Sequence, residues 1–140
     1  MAKHAYHDHL LAVPLFAGLD EDDLDAVAHA ATELTFAPGK VLMHQGSVAH
    51  EMFVVIDGTL EVTRDGAHIA DIGPGGFAGE IALLTHEHRN STVTTKTQCD
   101  LLHIDGREFT SVLDRAPAIA AKMLPVMAAR MAENAAHDQS

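Results

Sequence analysis

The chain has one cysteine, no tryptophan and one tyrosine in 140 residues. A lone Cys99 excludes an intramolecular disulfide and a cysteine-based zinc cluster, and its apolar neighbours through Ile104 read as a buried segment around a small inert thiol. Basic residues are scarce as well. Nine Lys and Arg against 20 Asp and Glu leave a formal net charge of −11, which repels nucleic acid and anionic lipid at long range. Although 47% of residues are hydrophobic, no apolar run approaches the ~20 residues of a membrane span. Met1 to His9 lacks the long apolar core of a signal peptide, so a cytoplasmic protein with neither a membrane nor a nucleic-acid partner is expected. Absent too are a nucleophile elbow, a Walker loop and paired zinc ligands. No enzyme is expected from such a sequence.

What is present is enough for one domain. Asp20 is a good N-cap for a helix running to Leu34, with Leu24, Val27, Ala28, Ala31 and Leu34 at helical spacing and an acidic first turn. From Thr35 to Ile104 short apolar stretches alternate with breaks at Pro38-Gly39, Gln45-Gly46, Asp57-Gly58, Asp65-Gly66 and Gly73 to Gly76. Turn signals at this spacing predict an antiparallel β-sandwich or barrel, and Asp65-Gly66 predicts a two-residue hairpin. The last third returns to helix. Asp105 and Glu108 approximate a capping box, with Phe109, Val112 and Leu113 as the apolar face. Pro117 suits the first turn of a second helix carrying Ile119, Met123, Val126, Met127, Arg130 and Met131. Pro125 should kink or break that helix, and the polar sequence after Met131 should fray.

The run Gly73-Pro74-Gly75-Gly76-Phe77-Ala78-Gly79-Glu80-Ile81-Ala82-Leu83-Leu84 carries the chemistry, with Arg89 nine residues beyond Glu80. Free backbone N–H groups at the start of a helical turn attract an anion, and a glycine allows close approach to the main chain. A buried guanidinium must be matched to an anion, a ligand or a carboxylate such as Glu87. Glu80, in an otherwise apolar run, must accept hydrogen bonds from a ligand hydroxyl, a lysine or backbone N–H groups.

This stretch resembles the phosphate-binding cassette of the cyclic nucleotide-binding domain family. Gly79, Glu80, Ala82, Leu83, Arg89 and Val93 fall in its register, while Gly76, Ala78 and Asn90 depart from its usual residues. The resemblance extends over residues 10–132, leaving 1–9 and 133–140 as flexible tails. It implies an α+β, mainly β fold: an antiparallel jelly-roll barrel with N-terminal helices, a Leu15-Phe16 pair packed on the barrel, and two C-terminal helices. It implies a regulatory ligand, cAMP rather than cGMP, and no catalytic cofactor. Arg89 would bind the phosphate and Glu80 the ribose 2′-hydroxyl, with Gly79, Ile81, Ala82, Asn90 and Ser91 completing the site. Met123, Met127 and Met131 would close over the base, form a homodimer interface, or pack on the barrel. Output would pass through the terminal helices to an effector protein or domain.

Two other readings are compatible with the residues. The departures at Gly76, Ala78 and Asn90 suit a member that keeps the fold for protein interaction and binds no nucleotide. The pair His86 and His88 is how a cupin metal site begins, but Thr92 and Val93 stand where its glutamate belongs. The histidines His4, His7 and His9 are candidates for adventitious metal binding.

Overall fold

The computed structural model describes residues 10–11 and 13–139. His4, His7, His9 and the expected 1–9 tail lie outside the described residues, as does Ser140. A 3₁₀ turn at Pro14–Phe16 precedes helix α1 (Glu21–Ala30), and the strands follow: β1 (Ala31–Phe36), β2 (Val41–Met43), β3 (Glu51–Asp57), β4 (Leu60–Arg64), β5 (Ala67–Ile72) and β6 (Phe77–Ala78). Helix α2 (Glu80–Thr85) interrupts them, after which come β7 (Thr92–Thr95), β8 (Cys99–Asp105), α3 (Gly106–Arg115) and α4 (Pro117–Gln139).

Asp20 caps α1 by accepting a 2.8 Å bond from the Asp23 N–H. The helix ends at Ala30, short of the expected Leu34. Ala31 to Phe36 instead pair with β8, from Ala31 opposite Ile104 to Phe36 opposite Cys99. The β-branched Thr32 and Thr35 suit that pleat better than a helix, and pairing to a central strand outweighs the helical spacing.

All strand pairs are antiparallel, as the glycine breaks predict. They form two four-stranded sheets, β1-β8-β3-β6 and β2-β7-β4-β5, which make a two-sheet roll in place of a fully closed barrel. Asp65 at φ 53° and Gly66 at φ 81° turn the β4–β5 hairpin, the positive φ values that a type I′ turn requires. Beyond that turn Thr63 faces His68 while Val62 faces Ala70, so Ile69 is the extra residue of a β-bulge.

The strand period of two divides the core. On β3, Met52 and Val54 point into a cluster with the helices, and Phe53 and Val55 into the space between the sheets. Leu102 and Ile104 of β8 join the first cluster, Cys99 and Leu101 the second. Phe16, 1% exposed, and Leu15 pack into the helical cluster. Cys99 is buried, with its thiol 3.4 Å from the Thr59 carbonyl.

Asp105 caps α3 through a 3.0 Å bond from the Arg107 N–H. Pro117 opens α4, but Pro125 does not break it, and the helix continues past Met131 to Gln139. Pro125 is exposed, so water can hydrate the carbonyl freed by its missing N–H. The methionine stripe divides by depth: Met123 is buried, Met127 packs at the edge of the helical cluster and Met131 is exposed. No helix among the described residues is long and apolar enough to cross a membrane.

Candidate functional site

The glycine-rich turn is tied to the sheet by bonds from the Gly75 N–H to the Val55 carbonyl and from the Val55 N–H to the Gly76 carbonyl, both 2.8 Å. It delivers the two residues of β6, which pair with β3. Gly79 then turns the chain into α2 with φ +97°. A Cβ here would lie 2.5 Å from Met43 Cε, 2.8 Å from Arg89 Nη1 and 3.0 Å from the Glu51 carbonyl oxygen. Glycine is therefore needed for the backbone conformation and for the approach of Arg89. The intimate neighbour of this glycine is the chain's own guanidinium.

Arg89 is 6% exposed. Its Nη1 donates to the Gly79 carbonyl at 2.8 Å and its Nη2 to the Glu51 carbonyl at 2.6 Å. Its backbone is pinned too, by a 2.8 Å bond from its N–H to the Ser47 carbonyl and a 2.7 Å bond to its carbonyl from the Gly46 N–H. Burial pulls the guanidinium pKa down from its ordinary value, and the nearby carboxylates of Glu51 and Glu80 oppose that shift. An arginine starts so high that it stays cationic. Glu51 approaches it at 3.9 Å. Main-chain carbonyls, rather than Glu87, hold the group in place.

Glu80 is 1% exposed, and its partner comes from the far end of the chain. Arg130 Nη1 on α4 lies 2.7 Å from both carboxylate oxygens, and its guanidinium sits 5.0 Å from the centroid of the Phe77 ring. Close by, Arg64 on β4 donates from Nε to the Asn90 carbonyl at 3.0 Å and from Nη2 to Asn134 Oδ1 at 2.7 Å. The last turns of α4 are thus fastened at two points, four residues apart.

Between α4, β5 and the cassette lies a cleft of about 660 Å3. Gly79, Glu80, Ile81, Ala82, Arg89, Asn90 and Ser91 all line it. The fold brings these seven residues to one cleft, whereas Met123 and Met127 lie in the helical core cluster and do not line it. Asn90 is exposed and contributes its carbonyl to Arg64. Arg64, Arg130, Met131 and Asn134 also line the cleft, and of these the two arginines and Asn134 escape a reading of the cassette alone. The signal for Arg130 is its place three residues after Met127, on the edge of the face that Met123 buries. His86 and His88 lie on the exposed loop after α2, and the three-donor group found among the described residues, Glu61, His68 and Asp71, includes neither.

The family model described as "Cyclic nucleotide-binding domain" matches residues 33–116, which contain most of β1, the whole of β2 to β8, the glycine turn and the cassette. The chain belongs to the cyclic nucleotide-binding domain family. It is 33% identical over 109 residues to a cyclic nucleotide-gated potassium channel of Mesorhizobium japonicum, covering 78% of this chain and 30% of the channel. To the cAMP-dependent protein kinase regulatory subunit of Schizosaccharomyces pombe it is 29% identical over 112 residues, covering 79% of this chain and 27% of the subunit. Among solved structures, cAMP-bound PfPKA-R superposes with a TM-score of 0.81 at 22% identity, over 96% of this chain and 47% of that one. The curated relatives extend well beyond the match, which spans 14% to 30% of their length. Arg64, Glu80 and Arg89 lie inside the family match, whereas Arg130 and Asn134 lie beyond its end.

Proposed function

We propose that this chain is a cyclic nucleotide-sensing regulatory module that binds cAMP in preference to cGMP and responds by moving its last helix. The observation that carries this reading is Arg89: a buried cation, fixed by two carbonyls, in the wall of a cleft that also holds a buried carboxylate. Its guanidinium has five N–H donors, so donors remain for a cyclic phosphate. The main-chain N–H groups of Ile81 and Ala82, together with Asn90 and Ser91, complete the phosphate subsite. Glu80 accepts the ribose 2′-hydroxyl. That engagement alters the Glu80–Arg130 contact, and occupancy is felt by α4 as a population shift. The preference for cAMP draws support from the relatives that carry it in their names. The module is non-catalytic and cytoplasmic and acts on an effector protein or domain. Exposed Leu124, Val126 and Met131 on α4 suit either that effector or a second copy of the chain.

Isothermal titration with cAMP and cGMP tests the reading. Arg89→Lys keeps the charge and loses the planar fork. At about 1.5–3 kcal/mol for each charge-assisted bond, its cAMP affinity should fall roughly ten- to a hundredfold. Equal binding by wild type and a folded Arg89→Lys variant would refute the phosphate role. One observation favours the reading of the fold as a protein-interaction module without nucleotide: Arg130 already engages both oxygens of Glu80. No heat of binding with either nucleotide, in wild type and in Arg130→Ala alike, would select it.

A further inference from the structure

We propose that the outer face of the β4–β5 hairpin is a binding site for a divalent transition-metal ion of the zinc type, held by Glu61, His68 and Asp71. His68 Nδ1 lies 2.8 Å from Glu61 Oε2 and 3.9 Å from Asp71 Oδ1, and the three donor atoms all fall within 4.8 Å of one another. Metal–ligand bonds of about 2.0–2.1 Å at tetrahedral or octahedral angles put neighbouring donors roughly 2.8–3.4 Å apart. The triad is therefore one small side-chain adjustment from a coordination shell.

The backbone assembles it. Glu61 pairs with Asp71, and an unbroken ladder would set Arg64 opposite His68 and turn the imidazole to the other face of the sheet. The bulge at Ile69 shifts the register so that Thr63 faces His68. His68 then shares a face with Glu61 and Asp71, the re-aiming of a side chain that bulges accomplish. Lys96 Nζ holds Asp71 Oδ2 at 3.0 Å, which steadies that carboxylate while Oδ1 faces His68. Two carboxylates against one lysine leave a local negative charge for a dication, and the imidazole selects a transition metal over magnesium or calcium. A bound ion would staple β4 to β5, whose Ile69, Ala70 and Ile72 line the cleft.

The test is isothermal titration of Zn2+ into the full chain carrying His4→Gln, His7→Gln and His9→Gln, which removes the N-terminal imidazoles. One ion per chain is expected, together with a higher melting temperature when the metal is present. His68→Gln and Glu61→Gln should each weaken binding by at least about tenfold and lose the thermal shift. Retained Zn2+ affinity in both variants, no binding in the parent, or Mg2+ binding as tight as Zn2+ would each overturn the assignment.

Discussion

The two walls of the cleft hold their buried charges by different means. Arg89 is bound by main-chain carbonyls of Gly79 and Glu51, inside the part of the chain built around the sheets. Glu80 is bound by the side chain of Arg130, on a helix that reaches the cleft only near its end. Breaking the first arrangement requires deforming the cassette. Breaking the second requires only a helix end to lift. One wall is therefore part of the fold, and the other is a contact with it.

That contrast is open to attack, and the largest effect is expected at Arg89. Arg89→Ala strips the Gly79 and Glu51 carbonyls of a donor and takes a cation from beside Glu80, so unfolding stability should drop by about 3 kcal/mol. Denaturant melts read this directly, and a loss under 1 kcal/mol would show that the cassette stands without its arginine. Next comes Gly79→Ala, which forces a Cβ into the φ +97° conformation against Met43 and Arg89. A cost of about 2 kcal/mol is expected, with the same melts as readout. The smallest global effect belongs to Arg130→Ala, about 1–2 kcal/mol, because Arg130 is partly exposed and its loss lets α4 lift so that water can reach Glu80. Its signature is local: faster amide exchange in the last turns of α4 with unchanged protection in β3 and β8. Uniformly faster exchange would mean that the helix end is as integral as the cassette.

The cassette was legible because its constraints are local. Gly79, Glu80 and Arg89 lie within eleven residues, and a positive-φ glycine, a buried acid and a buried base each leave a mark on composition. The hairpin and both aspartate caps were legible for the same reason. Helix α1 was overextended at Ala31 to Leu34 because apolar spacing there fits a helix and an edge strand alike, and the pairing with β8 that decides it lies some seventy residues away. The Glu80–Arg130 bond joins residues fifty positions apart and has no local signature. Pro125 does not break the helix, because solvent can take up the carbonyl that its missing N–H frees.

Pro125 also divides α4 into parts with different attachments. Before it, Ile119 and Met123 are sunk in the core at 2% and 1% exposure. After it, the helix is held by polar bonds at Arg130 and Asn134 and by Met127 at the edge of the helical cluster. The nine helical steps from Pro125 to Asn134 make a lever about 14 Å long. A tilt of about 20° at the proline, within the range such residues permit, would carry its tip roughly 5 Å. The stem would stay seated throughout, so the motion would cost the polar contacts of Arg130 and Asn134, the stacking of Arg130 on Phe77 and the edge packing of Met127, and leave Ile119 and Met123 in place.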